Sequence, residues 1–228
     1  MSNRLKYLTF AALLLSLSGS VALAVNPLVV KHTLAQVVSS ADSKAEADKL
    51  FQEGIQQYRR GEYPKALQTY QRVLEIRRKL GDKAGVGQTL NNIGEVYIGL
   101  IQTEEALKVL QEALVIYQEL KDRKSEGQTL DNIGWANMIA AKDDKKTLAI
   151  LQQALAIRRE VKDKGGEGIT LSKIGFIYTY LDQQQEGLKF LQNALAIHQE
   201  VGDKFQEGFT LYRIGLAYSN TKEKKTTL

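Results

Sequence analysis

The sequence predicts an all-α fold, an α-α superhelix (solenoid) of about four and a half helical hairpins, on three observations. The first is a repeat: Thr89-Leu90-Asn91-Asn92-Ile93-Gly94 returns at Gly134, Gly175 and Gly215, with spacings of 40, 41 and 40 residues and a degenerate copy ending at Gly54. A period of about 20 to 50 residues marks stacked supersecondary units rather than one closed globule. The second is apolar spacing at three- and four-residue steps, the stripe of an amphipathic helix. The third is that 2 prolines in 228 residues leave long stretches uninterrupted.

In chain order, residues 1–24 read as a signal peptide. Arg4 and Lys6 give a positive start, residues 8–17 form an apolar run broken only by Thr9 and Ser16, and Ala22-Leu23-Ala24 is a small-x-small cleavage site. Export across the inner membrane is expected, to the periplasm or as a secreted protein, with an N-terminal membrane anchor as the alternative. Residues 25–43 contain Pro27, Ser39, Ser40 and Ser43 with no helical stripe, and read as a flexible linker. The array is expected over 44–220, in units 44–81, 82–121, 122–162 and 163–202 with a half unit at 203–220, before a polar tail at 221–228.

Each unit reads as a helical hairpin. In the first, Ala47, Leu50, Phe51, Gly54, Ile55 and Tyr58 share one helix face. Gly61 then breaks the chain, and Pro64 suits the first turn of a second helix through Ala66, Tyr70, Val73 and Leu74. In the second, Leu90, Ile93, Gly94 and Tyr97 precede Ala106, Leu110, Ala113 and Leu114. Gly94, Gly134, Gly175 and Gly215 are expected to permit close approach of the small Ala113, Ala154 and Ala194, which offsets the roughly 0.5–1 kcal/mol that a helical glycine costs. The one extra residue falls in the turn 140–144. Asp82, Asp122, Asp163 and Asp203 each stand where a helix needs an N-terminal cap.

With these residues in view, the chain resembles tetratricopeptide repeat proteins. A large apolar residue, a glycine four positions on, a tyrosine three further and small residues on the second helix are met by Leu90, Gly94, Tyr97, Ala106 and Ala113. The unit is longer than the usual 34 residues, and Gly81-Asp82-Lys83 between units is similar to kinesin-light-chain-like repeats and to exported bacterial arrays. The departures are leucine for the usual tryptophan, Asn137 for the tyrosine of the third unit, and Lys146-Thr147 and Gly187 for alanine in the third and fourth.

Chemistry of other kinds finds no support in the sequence. There are no cysteines and only two histidines, His32 and His198, so no metal set, thiol nucleophile or proton shuttle is expected, and neither is a cofactor. Residues 81–89 superficially match a phosphate-binding loop, but Gln88 stands where the lysine belongs. The formal charge is +5, and without Arg4 and Lys6 it is +3, a solvated mixed surface rather than a nucleic-acid footprint. No enzymatic activity and no small-molecule substrate are expected.

What remains is the concave wall that the resemblance implies, built from first-helix positions two before and one after each glycine. The candidate partner-binding residues there are Asn92, Glu95, Asn132, Trp135, Lys173, Phe176 and Arg213. By the resemblance, Asn92 and Asn132 hold the backbone of an extended peptide. Trp135 and Phe176 read as aromatic anchors or as rings buried against the next unit. Lys173 and Arg213 make that end cationic, which predicts a preference for acidic groups. The function expected is a non-catalytic scaffold that binds a protein or an extended peptide. The alternative is a structural spacer or oligomerisation segment, a shortened copy of a longer signalling or protease-like effector. The half unit at 203–220 is expected to self-associate, to take a partner's helix, or to fray.

Overall fold

The structure is a computed structural model that describes residues 27–226 except 142, with side chains from 39 to 219. Residues 1–24, read as a signal peptide, lie outside the described residues. The chain divides into two units, 1–42 and 43–228, and the hairpins stack within the second. Among the described residues there are nine α-helices and no strand: α1 (Pro27–Arg59), α2 (Tyr63–Lys79), α3 (Lys83–Gly99), α4 (Thr103–Leu120), α5 (Arg123–Ile139), α6 (Asp144–Glu160), α7 (Lys164–Tyr180), α8 (Gln184–Val201) and α9 (Lys204–Thr226). Odd-numbered helices are the first of each hairpin and even-numbered helices the second.

Two ends differ from the sequence reading. Residues 27–43, expected as part of a flexible linker, are helical. Pro27 takes the first helical position, where a missing N–H costs nothing, and no glycine or further proline follows before Gly54. Likewise α9 runs on to Thr226, into the polar tail expected at 221–228.

One residue with a left-handed backbone closes every turn between helices: Gly61, Gly81, Ile101, Lys121, Ala141, Lys162, Asp182 and Gly202. A non-glycine residue held there costs roughly 1–2 kcal/mol, so five of the eight turns are locally strained. The turn after α5 is one residue longer than its counterparts after α1, α3 and α7, which places the extra residue of the third unit where the sequence put it. Between hairpins the aspartates cap as expected. Asp82, Asp122, Asp163 and Asp203 accept from the backbone N–H of Gly85, Ser125, Gly166 and Gln206 at 3.0–3.2 Å.

The core is a file of small clusters, three of which join one hairpin to the next while the fourth, Val86, Leu90, Ala113 and Tyr117, sits within the α3–α4 hairpin. Gly94, Gly134 and Gly175 do close their hairpins, but onto leucine rather than alanine, whereas Gly215 meets nothing within 4 Å and the expectation fails there. A methyl built on Gly94 or Gly134 would stand 2.5 Å from Leu110 or 2.6 Å from Leu151. In the α7–α8 hairpin the approach reaches the backbone, with the Gly187 carbonyl 2.8 Å from a methyl built on Gly175. The glycine that replaces alanine at 187 therefore makes this the closest-packed pair.

A second rule joins the hairpins. Arg77, Tyr117, Arg158 and His198 occupy equivalent sites near the ends of α2, α4, α6 and α8, all buried against the next first helix. Where the residue is arginine, the position eight further on is glycine. A methyl on Gly85 would meet Arg77 Cδ at 2.8 Å, and one on Gly166 would overlap the Arg158 guanidinium. Where it is tyrosine or histidine, the position holds Ser125 or Gln206.

Candidate partner-binding groove

Successive first helices touch one another: α3 meets α5, α5 meets α7, and α7 meets α9. Their shared face frames a cavity of about 600 Å³ that runs from Tyr58 of α1 to Arg213 of α9. Of the seven residues singled out from the sequence, Glu95, Asn132, Trp135, Lys173 and Arg213 line it together. Asn92 lines a neighbouring cavity of about 230 Å³ near Phe51 and Tyr117, and donates to the Tyr70 hydroxyl at 3.1 Å. Phe176 stands behind the wall, its ring centroid 5.9 Å from that of Trp135.

A ladder of polar contacts stitches the first helices together from α3 to α9. The residue three before the glycine in one unit meets the residue two before the glycine in the following unit. Asn132 donates to Asn91 Oδ1 at 3.4 Å, Lys173 pairs with Asp131, and Arg213 Nη1 donates to Ser172 Oγ at 2.9 Å. Buried threonines reinforce two steps: Thr129 donates to Asn91 Oδ1 at 3.2 Å and Thr210 to Ser172 Oγ at 3.2 Å. Satisfying buried polar atoms in this way fixes the stacking register, because an orphaned group would cost about 1–3 kcal/mol.

The electrostatics differ from end to end. Glu95 Oε1 accepts from Asn132 at 2.9 Å and Asn91 at 3.3 Å. Burial nonetheless holds its pKa above the ordinary carboxylate value, with Asp131 adding to the rise and Lys173 opposing it. At the far end the Arg213 guanidinium lies 5.1 Å from the ring centroids of both Trp135 and Phe176 and 4.5 Å from that of Phe209. Burial lowers its pKa to about 10, and only the Asp131 charge pulls the other way. Lys173 Nζ also sits 5.8 Å from the Trp135 centroid.

The tetratricopeptide repeat family model matches residues 54–119 and 88–160. These residues form tetratricopeptide repeats. No curated protein matches the sequence. Among solved structures, a Rap protein complexed with competence and sporulation factor is 18% identical with a TM-score of 0.71, over 78% of this chain and 49% of that one. The aspartyl phosphate phosphatase F of Bacillus subtilis is 17% identical with a TM-score of 0.69, over 80% of this chain and 48% of that one. The repeats of a Podosopora anserina putative kinesin light chain are 14% identical with a TM-score of 0.60, over 79% of this chain and 89% of theirs. The tetratricopeptide chain thus spans about half the length of the first two, and at these identities the likeness shows the fold.

Set against the repeat's own geometry, the cationic end expected from Lys173 and Arg213 is corrected. Asp131 neutralises the first, and the second is only 5% exposed inside a ring of aromatic side chains. Trp135 takes neither of its expected extremes, being half-buried beside the tilted Phe176 ring with the Arg213 guanidinium over one face. The residues missed were Asn91, Asp131 and Ser172. Their signal was present as chemical complementarity one unit apart: amide with amide, acid with lysine, hydroxyl with arginine.

Proposed function

We propose that this tetratricopeptide array is an exported, non-catalytic scaffold that holds an extended segment of another protein along the first-helix groove. One observation carries the reading: five chemically varied side chains from four different helices converge on one open cavity. Such a surface offers a half-exposed aromatic and amide donors and acceptors to a bound backbone. The repeat family is in general a binding module, and the Rap protein's complex with competence and sporulation factor supports a peptide-sized ligand. Export rests on Arg4, Lys6, the apolar run at 8–17 and Ala22-Leu23-Ala24, and the mass of the mature N-terminus tests it.

A random-peptide display selection tests the groove. Wild-type protein should enrich a consensus that a variant carrying Asn132→Ala and Trp135→Ala does not. Equal enrichment on both would place binding elsewhere, and no enrichment on either would favour the spacer reading. That second reading draws on the ladder itself, which engages Asn132, Lys173 and Arg213 without any ligand. Self-association through α9 is part of the proposal, because Phe205, Leu211, Tyr212 and Tyr218 are exposed. Sedimentation across a concentration series tests it.

A further inference from the structure

The cavity wall holds four carboxylates, Glu95, Asp131, Asp163 and Asp203, against three cations. Each cation is already engaged. Arg158 Nη1 pairs with Asp163 at 2.5 Å, Lys173 pairs with Asp131, and Arg213 lies among aromatic rings with Ser172 as its acceptor. The acids are matched only in part, because Glu95 and Asp203 have no cation against them. Asp131 is 2% exposed and its Oδ1 has no hydrogen-bond partner. Glu95 is held by the neutral amides of Asn91, Asn132 and Gln128. A desolvated carboxylate held by amides, beside a second acid with an orphaned oxygen, is short of positive charge.

Resting on the groove reading above, we propose that the cavity takes a basic group of the bound segment, a lysine ammonium or an arginine guanidinium, at Glu95 and Asp131 beside Trp135. The group donates to Glu95, the half-exposed acid, with its alkyl stem along the indole, while the buried Asp131 carboxylate behind it, whose Oδ1 no side chain of this protein satisfies, adds attraction. It cancels the one excess negative charge of the wall, so charge complementarity selects it over an acidic residue. The acid preference suggested by Lys173 and Arg213 is thereby reversed.

Trp135 is the only tryptophan in the chain, so its fluorescence reports the site directly. The probes are Ac-Gly-Lys-Gly-amide, Ac-Gly-Arg-Gly-amide and, as controls, the glutamine and glutamate tripeptides. The basic pair should give saturating changes, with the controls at least about tenfold weaker. Glu95→Gln keeps the amide contacts and breaks no ion pair, and should weaken the basic tripeptides by about tenfold. Wild-type affinity should also fall on acidification as Glu95 takes up a proton, and Glu95→Gln should flatten that dependence. The other groups facing Glu95 are Tyr58 of α1, Tyr70 of α2, Asp131 of α5 and Lys173 of α7. Equal or tighter binding of the glutamate or glutamine tripeptide, or no saturation with any probe, overturns the proposal. A display consensus that lacks basic residues but needs Trp135 would leave the groove reading standing and remove this one.

Discussion

The glycine column gives a controlled experiment inside one chain, because equivalent positions are closed in the middle of the array and open on α9. A methyl added at Gly134 would lie 2.6 Å from Leu151 Cδ2 and 2.7 Å from its Cγ, nearer than real side chains come, and Leu151 is fully buried. Forcing that contact costs roughly 1–3 kcal/mol by overpacking, while alanine recovers about 0.5–1 kcal/mol of helix preference. Gly134→Ala should thus lose on the order of 1–2 kcal/mol. At Gly215 nothing lies within 4 Å, so Gly215→Ala should gain about 0.5–1 kcal/mol. For an array of this size each kcal/mol moves Tm by roughly 2–4 °C, so thermal melts followed at 222 nm should separate the two variants in opposite directions. If Gly134→Ala raises Tm as Gly215→Ala does, the column is not a packing column and the hairpin account is wrong.

Other outcomes follow from single sites. Ile101 is β-branched, left-handed and exposed. Ile101→Gly should therefore be neutral or raise stability by up to about 1 kcal/mol in chemical denaturation, where a loss would show that the turn is not strained. Trp135→Ala should cost less than the roughly 3–5 kcal/mol of a fully buried ring, and iodide should quench the wild-type indole only in part. Burial lowers the His198 pKa, with Asp203 opposing, so the folded state binds fewer protons than the unfolded one. Stability should be full above 6.5, the ordinary histidine value, and fall as the pH drops below it, and His198→Phe should flatten that limb. For Glu95 the sign is opposite. Its raised pKa means that ionisation opposes folding, so Glu95→Gln should be neutral or stabilising at pH 7 even as it weakens binding.

Local features of the array were legible because they need only local spacing. Leu90, Gly94 and Ala106 announce a hairpin, though not that Leu110 rather than Ala113 meets the glycine, and Asp82 before Gly85 announces a cap, without reference to distant residues. The helical backbone of 27–43 was not legible from pattern, because nothing there forms a stripe. Helix follows from Pro27 at the first turn and from the lack of any breaker before Gly54. The site was half legible. Repeat alignment put Glu95, Asn132, Trp135, Lys173 and Arg213 on one wall, but their charge state depends on partners about 40 residues away. Asp131 and Lys173 are 42 residues apart, and each looks like an ordinary soluble residue until the two units are laid side by side.

The claim that the first helices form the binding wall is tested most directly by hydrogen exchange on the wild-type protein with and without a display-selected peptide. Added protection should fall on α3, α5, α7 and the start of α9 around Phe205 and Phe209, with α4, α6 and α8 unchanged. Protection confined to the second helices would contradict the account.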